Sequence, residues 1–286
     1  TPFVASQMGV LQLTVVFPLI AVVDALVRWA PAGGRKPAAE VGAWTAVTFL
    51  TCGYYGLFLL VGVFPAALVL ARRDWFRWSR LGDVGVAAAC VAPAVPVLLA
   101  QGGLTEGYAR SDDTIRALSA SVDEFFLLTG DALGAGVLPW VGDGGDGTAL
   151  YLGTALLALG VAGVVVLRRE VGERLRVLAF LLLGALATLL LAMGLNLSFF
   201  GFAPYELVRT VVPGYESLRS PFRFVAVTGV FLVALAAFGI DDLWRWRPAP
   251  AGWARRAGPL AAVGVVAVGL VEVTIAPVEL FPVDRS

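Results

Sequence analysis

Two arginines stand directly before a long apolar run, in the stretch YESLRSPFRF at residues 215–224. Arg219 and Arg223 enclose the dipeptide Ser220-Pro221, which is typical of a helix start, because serine can cap exposed amides and proline fits the first helical turn. An anion at this N-terminus would meet free N–H groups, the positive end of the helix dipole and two guanidinium groups. Arginine suits phosphate, since its planar fork bonds two oxygens at once. We therefore predict that this motif binds the phosphate of a membrane lipid.

A second interpretation of these two arginines stays open. Long arginine side chains can reach phospholipid headgroups without forming a specific site. The nearby Glu206 or Glu216 could also pair with them. Arg110 and Arg209 fall in the external segments predicted below, so we include them as candidate ligands of the lipid phosphate.

Carboxylates in the same segments are candidates for an acceptor site or a helper role. Asp112 and Asp113 follow Ser111 and open a stretch, residues 111–126, in which apolar residues recur at helical spacing. The pattern predicts an amphipathic helix at the outer interface, whose acids either cap and solvate its first turn or contribute to acceptor binding. Glu216 is a candidate helper because it lies beside the arginine motif.

Glu272 lies inside the last apolar block and has no basic neighbour in the sequence. Carboxylates within a membrane are costly and are candidates for function by default. We expect Glu272 to lie one turn from the external interface, where it either has a structural role or helps the site by pairing with Arg219 or Arg223. Asp24, in contrast, has Arg28 four residues further on, and a local ion pair explains it.

The residue inventory excludes several kinds of chemistry. Histidine is absent and both cysteines, Cys52 and Cys90, lie in apolar runs, which excludes a Ser–His–Asp triad, a Cys/His zinc site and a disulfide framework. A divalent-metal ligand at Asp112 or Asp113 stays an open alternative without support, since two adjacent aspartates alone are weak evidence for a cation that needs several oxygen ligands. The DGGDG stretch at 143–147 lacks the spaced ligands of a calcium loop. No phosphate-loop or dinucleotide motif is present. We predict no cofactor, and a formal net charge of zero gives no field that would favour nucleic acid.

The elements that must position these residues are membrane helices. The chain is 59% hydrophobic and only 15% charged, whereas soluble domains are about 25% charged. Long blocks almost free of charge predict an all-α, polytopic integral membrane protein, since a β-barrel would show short segments of alternating polarity. The blocks are residues 3–27, 41–71, 82–100, 149–167, 175–195, 223–243 and 257–276.

The block at 41–71 is too long for one span. A helix of this length would rise about 46 Å, against a hydrocarbon core of about 30 Å. Basic residues flank it on both sides, and basic flanks favour the cytoplasm, so the block should cross an even number of times. We predict a hairpin of two short helices, 41–53 and 54–71, turning at the CGYYG stretch. One long tilted helix is the alternative.

With the hairpin, eight spans alternate and fifteen of the 21 basic residues fall in cytoplasmic loops. Both ends of the chain then lie outside, and the two large external segments are residues 101–148 and 196–222. We treat residues 1–286 as one transmembrane domain in a bacterial plasma membrane. Because the chain opens at Thr1 rather than Met, we expect it to be a fragment of a longer protein.

The stretch VPGYESLRSPFRFVAVTGVFLVALAAFGIDDL resembles one found in large bacterial membrane proteins of the YfhO-like and related GT-C glycosyltransferase families. Their pattern is Pro-Gly, then Arg-x-Pro-x-Arg-Phe, then an Ala/Leu-rich span ending in Gly. Residues 108–126 resemble the family's external segment, residues 151–161 the span after it, and the GYYG hairpin its paired short helices. Together these similarities cover most of the chain. The matching residues of the main stretch are Pro213, Gly214, Arg219, Pro221, Arg223, Phe224 and Gly239.

The resemblance implies a GT-C-type fold and transfer of a sugar from a polyprenyl-phosphate carrier to a glycan or lipid acceptor at the outer face. It also implies a catalytic carboxylate in a first external loop, which would lie outside this fragment, so no catalytic residue is assigned here. Two alternatives stay open: a lipid or solute transporter or flippase, which should carry broken helices and deep charges, and a non-catalytic membrane scaffold.

Overall fold

A computed structural model describes residues 11–72, 75, 77–105, 110–128, 138–143, 149–169, 172–212, 215–246 and 254–274. These ranges form helices joined by short turns, with one parallel pair of two-residue strands, β1 (Leu127–Leu128) and β2 (Gly142–Asp143). The helices are α1 (Phe17–Ala32), α2 (Arg35–Thr51), α3 (Gly53–Leu70), α4 (Trp78–Val91), α5 (Val95–Thr105), α6 (Asp112–Ala117), α7 (Thr154–Arg168), α8 (Glu173–Ala192), α9 (Pro204–Val211), α10 (Val225–Arg245) and α11 (Ala254–Val273).

Four helical segments of the described chain are long and apolar enough to cross a membrane, and α7 is a shorter apolar helix. The predicted class, an all-helical membrane protein, is therefore confirmed. One of the four combines α4 and α5 through a 3₁₀ turn at Ala92–Ala94, and another places the 3₁₀ turn Pro221–Phe224 ahead of α10. The four segments are Gly53–Leu70, Trp78–Ala100, Glu173–Ala192 and Pro221–Arg245.

The predicted start of the first span, at residue 3, lies outside the described residues, and within them the long helix of this block begins later. The block 3–27 becomes α1, which begins at Phe17 and runs on to Ala32. Pro18 explains the late start, because proline is favoured in the first turn of a helix, where no N–H is needed. Residues 1–10 lie outside the described part of the chain.

The block at 41–71 is two helices, as predicted. The backbone is extended at Cys52, with φ −152° and ψ 107°, which ends α2 and begins α3. The segments before α2 and after α3 lie close together. The Trp75 indole N–H donates to the Ala30 carbonyl at 3.3 Å, and the Trp75 ring lies 4.9 Å from that of Trp29. Residues 35–72 therefore leave one end of the bundle and return to it. The structure extends the first helix of this hairpin back to Arg35.

The turn between α1 and α2 is held by two charged residues of α4, Arg80 and Asp83, which are both buried. The Arg80 guanidinium donates to the Trp29 carbonyl at 2.9 Å and to two further carbonyls at the C-terminus of α1. The Asp83 carboxylate accepts from the Gly34 N–H at 2.8 Å, at the start of α2, and from the Trp29 indole at 3.2 Å. A cation thus lies at a helix C-terminus and an anion at a helix N-terminus, each matching the local dipole.

The chain alternates between two ends of the bundle. Arg72 pairs with Glu173, and Arg176 donates to the Ala71 carbonyl at 3.3 Å, so the loop before α8 lies beside the end of α3. Helices α8 and α10 are antiparallel, since Thr188 bonds Thr228 at 2.9 Å while Phe180 packs on Phe231. We call the end formed by residues 28–36, 71–72, 75, 77–83, 168–169, 172–176, 245–246 and 254–256 the basic end. The end formed by residues 52–55, 110–128, 149–154, 192–212 and 215–224 is the opposite end.

Helices α7 and α10 approach each other most closely, through glycine. A Cβ at Gly163 would overlap the Leu235 carbonyl, and one at Gly239 would overlap the Leu159 carbonyl. Small residues let the backbones of membrane helices come near enough for dispersion forces to hold them, where no hydrophobic effect operates between apolar surfaces. This contact fixes the helix that follows Arg223.

We predict that Asp83→Ala lowers the free energy of unfolding by about 2 kcal/mol, because the Gly34 N–H and the Trp29 indole lose a buried acceptor. The matched control is Asp24→Ala, which removes only the exposed pair with Arg28 and should cost about 0.3–0.5 kcal/mol. Thermal unfolding in detergent, followed by circular dichroism, measures both. Equal losses in the two variants would contradict the assigned role of Asp83.

Candidate anion-binding site

Residues 219–224, which we call the arginine turn, connect the opposite end to α10. A helical turn begins at Pro221, as predicted. The predicted cap was wrong: the Ser220 side chain makes no capping hydrogen bond, and its carbonyl instead accepts from the Arg223 N–H at 3.2 Å. The Phe222 N–H donates to the Leu118 carbonyl at 3.2 Å. Two of the first amides, those of Phe222 and Arg223, are therefore committed to the protein.

The arginine turn is fixed on the tip of the α2–α3 hairpin. The Phe224 ring stacks on that of Phe58 with centroids 3.7 Å apart and planes 26° apart. The centroid of Tyr215 lies 6.4 Å from that of Phe224 and 5.3 Å from that of Tyr205. Burial raises the pKa of Tyr205 and Tyr215, so both phenols stay neutral. These packed aromatic side chains therefore add no negative charge beside the arginines.

Arg223 lies partly buried against Tyr54. Its guanidinium carbon is 5.0 Å from the centroid of the Tyr54 ring and 5.9 Å from that of Phe222. The Arg223 Nε is buried, and it has no hydrogen-bond partner in the described part of the chain. Neighbouring Arg219 is exposed. Two guanidinium groups at the start of one helix thus keep donors for a ligand from outside the protein.

The alternative that these arginines pair with nearby glutamates is wrong for the described residues. Glu206 and Glu216 are both exposed, and within the described ranges neither forms an ion pair with Arg219 or Arg223. Residue 216 instead makes a backbone contact, in which its carbonyl accepts from the N–H of Arg110 at 3.3 Å. The positive charge of the arginine turn is not neutralised there by a carboxylate.

The structure gives Arg209 a different contact from the predicted one. Its guanidinium donates to the Asp112 carboxylate at 2.6 Å and to the Arg110 carbonyl at 2.9 Å. This joins α9 to the start of α6. Asp112 is thereby engaged as well, whereas Asp113 lies exposed in the first turn of α6. The structure thus engages Arg209 and Asp112 with each other and leaves Asp113 exposed.

The amphipathic segment begins where it was predicted but is shorter. The Ser111 hydroxyl accepts from the Thr114 N–H at 3.3 Å, which confirms the N-cap. The helix ends at Ala117, and a separate 3₁₀ turn forms at Asp123–Phe126. Tertiary bonds explain the break, because the Ala120 N–H donates to the Ala192 carbonyl at 2.9 Å instead of continuing the helix. Most of the DGGDG stretch lies outside the described residues.

Glu272 caps a helix and does not pair with an arginine. Its carboxylate accepts from the N–H groups of Thr154 and Ala155, at 2.7 and 3.1 Å, and from the Tyr151 hydroxyl at 2.6 Å. The side chain is buried at the N-terminus of α7. This is a structural role, in which a carboxylate of α11 satisfies amides that Gly153 cannot cap. Of the two predicted alternatives, the structural role is the one observed, and pairing with Arg219 or Arg223 is not.

Sequence reasoning missed the residues that support these charges. Tyr54 was predicted only as an interfacial anchor of the hairpin, and Asp83 and Tyr151 were not singled out. The sequence did indicate that α7 needs a carboxylate from another part of the chain. Glycine stands directly before this apolar helix, and no side chain there can cap its first amides. The described ranges also contain no group of three His, Cys, Asp or Glu side chains that could hold a metal ion.

The fold defines the class of this protein: an all-helical protein embedded in a membrane by several apolar helices. Comparisons of the chain with protein-family models, with curated proteins and with solved structures gave no match. The family resemblance stated above therefore stays a prediction.

We predict that Glu272→Ala lowers the free energy of unfolding by about 2 kcal/mol, because three donors lose a charged acceptor. Tyr151→Phe is the matched control. It removes one donor and leaves the cap of α7 in place, so it should cost about 1 kcal/mol. Thermal unfolding in detergent measures both. A Glu272→Ala protein of unchanged stability would contradict the structural role.

Proposed function

We propose that the arginine turn binds the phosphate group of a membrane lipid, and that this lipid is the polyprenyl-phosphate sugar donor of a GT-C-type glycosyltransferase. The observation that carries the proposal is Arg223, whose guanidinium is partly buried on Tyr54 and whose Nε lacks a hydrogen-bond partner in the described chain. The family resemblance of the same motif supplies the sugar-transfer part.

The free energy of the guanidinium group supports an anionic ligand. A buried polar group without a partner costs about 1–3 kcal/mol, and a cation–π contact offsets about 0.5–2 kcal/mol of the cost for the charge. A phosphate would satisfy the remaining donors with charge-assisted hydrogen bonds. Arg219, exposed four residues earlier, would add a second guanidinium on the same ligand.

The place of the site in the fold suits a lipid. The arginine turn precedes the apolar segment Pro221–Arg245, and phospholipid headgroups lie at the ends of such segments. We propose that the opposite end faces the outside of a bacterial plasma membrane, because basic residues favour the cytoplasmic side. The proposed partners are the lipid-linked donor and a glycan or lipid acceptor.

The arginines would act on the leaving group. When the bond between the sugar carbon and the phosphate oxygen breaks, negative charge develops on the carrier phosphate. Donors already aimed at those oxygens stabilise this charge more strongly in the transition state than in the bound substrate. Tyr54 would keep the Arg223 guanidinium in place through its ring. Activation of the acceptor needs a base, which the resemblance places outside this chain.

We predict that Arg223→Ala weakens binding of a polyprenyl phosphate at least about tenfold, since charge-assisted hydrogen bonds worth about 1.5–3 kcal/mol are lost and about 1.4 kcal/mol is tenfold in affinity. Arg219→Ala should weaken it less, because that side chain is more exposed. Native mass spectrometry of the protein in nanodiscs, titrated with the lipid, measures both affinities. Arg77→Ala, exposed at the basic end, is the control and should change nothing.

The matching polyprenol without phosphate separates headgroup recognition from chain recognition. It should bind all variants alike. Equal affinity of the wild-type protein and Arg223→Ala for the phosphate would refute the site. If phosphate binding falls as predicted but the full-length Arg223→Ala protein still transfers sugar at the wild-type rate, only the glycosyltransferase part fails.

Orientation has its own prediction. A cysteine introduced as Glu216→Cys should react in intact cells with a membrane-impermeant maleimide, because residue 216 is exposed at the end proposed to face outward. Ser79→Cys, exposed at the basic end, should react only after the cells are opened. Both variants need Cys90→Ser, since Cys90 is partly accessible. The reverse pattern would place the arginine turn in the cytoplasm and exclude an external donor site.

A further inference from the structure

The segment between α8 and α9 carries a tight turn of phenylalanines. Phe199 and Phe202 exchange both backbone hydrogen bonds, at 2.8 and 2.9 Å, so Phe200 and Gly201 form the two-residue tip. All three phenylalanine side chains are exposed: Phe199 by 51%, Phe200 by 110% and Phe202 by 52%. Three large apolar rings that point away from the protein need a partner other than water.

The backbone at the tip is strained. Phe200 has φ +51° and Gly201 has φ +83°, which is the two-residue turn that favours Asn-Gly. Phenylalanine is rare at positive φ, because its Cβ then crowds the backbone. Strained residues of this kind persist where the surroundings hold them, and they concentrate at functional positions. An exposed, strained phenylalanine is not explained by packing within the described protein.

Tertiary contacts hold the segments on both sides of the turn. On one side, the Asn196 amide donates to the Ser119 carbonyl at 3.1 Å. On the other side, Tyr205 is fully buried and Arg209 holds α9 to Asp112. With Tyr205 buried and Arg209 directed at Asp112, the apolar side chains of Leu207 and Val211 stay exposed on α9, beside the exposed Glu206 and Thr210. The exposed apolar surface is Phe199, Phe200, Phe202, Leu207 and Val211, which we call the phenylalanine surface.

The sequence around the turn indicates that the partner is lipid. No charged residue occurs between Arg176 and Glu206. This uncharged stretch contains most of α8, which carries exposed leucines, and it runs directly into the turn. Apolar side chains on a short amphipathic helix beside a membrane span are typical of insertion at the boundary between headgroups and acyl chains.

We propose that the phenylalanine surface inserts into the lipid leaflet at the opposite end of the bundle and anchors the turn 199–202 at the boundary between headgroups and acyl chains. The anchor is independent of what the arginine turn binds. It makes residues 199–202 part of the membrane-embedded surface, although they lie outside every helix that could span the bilayer.

Depth-dependent fluorescence quenching tests this insertion. The protein carries Cys52→Ala and Cys90→Ser, and an NBD label is attached through Phe200→Cys or, in a second protein, Phe202→Cys, in single-copy nanodiscs. We expect blue-shifted emission and loss of fluorescence when the lipids carry a nitroxide on the upper acyl chain. A label on Asp113→Cys is the control, because this exposed carboxylate position should report water. Phe202→Cys guards against a folding defect caused by changing the strained position.

Two outcomes would overturn the proposal. Quenching of both labels by aqueous iodide and not by the lipid nitroxide would place the turn in water. Labels that become shielded from both quenchers only when two copies share a nanodisc would make the phenylalanine surface a contact between copies of the chain. The supporting result is quenching by the lipid nitroxide in both labelled proteins, with the control label unquenched.

Discussion

The constraint on which this structure depends is that helix ends cannot be left unsatisfied where water is scarce. A helix leaves four N–H groups and four carbonyls without partners within the helix, and in a membrane these groups must find partners in the protein. Arg80 satisfies carbonyls at the end of α1, and Asp83 satisfies an amide at the start of α2. Glu272 does the same for α7 from the far end of the chain. Polar residues of one helix thus complete the ends of another.

These contacts also determine the path of the chain. The Arg80–Asp83 pair holds the α1–α2 turn against the start of α4, which forces the intervening hairpin to return to the end where it began. Glycine at positions 163 and 239 then allows α10 to lie directly on α7. The result is an arrangement in which the basic loops share one end. The arginine turn and the aromatic rings packed on it share the other.

The arginine turn departs from this rule of satisfied groups. Arg209 and Arg116 at the same end are engaged by a carboxylate and a carbonyl, whereas the Nε of Arg223 is buried without a hydrogen-bond partner in the described chain and its guanidinium lies over the Tyr54 ring. The phenylalanine turn is a second departure, of apolar rather than charged groups. Both lie at the opposite end, and both are explained by a membrane lipid: its phosphate in the proposed arginine site and its acyl chains around the proposed anchor.

The sequence by itself determined the helical membrane class, the break near Cys52, the alternation of the loops and the helix start at Pro221, because each depends on local composition, spacing or charge bias. It did not determine the partners of Arg209, Asp112 and Glu272, nor the length of the helix after Ser111. Those depend on which backbone amides and carbonyls another part of the chain leaves open, such as the uncapped start of α7 that Glu272 fills. Only the tertiary structure decided them, since a charged group in a low-dielectric interior binds the nearest complementary group in space, whatever its distance along the chain.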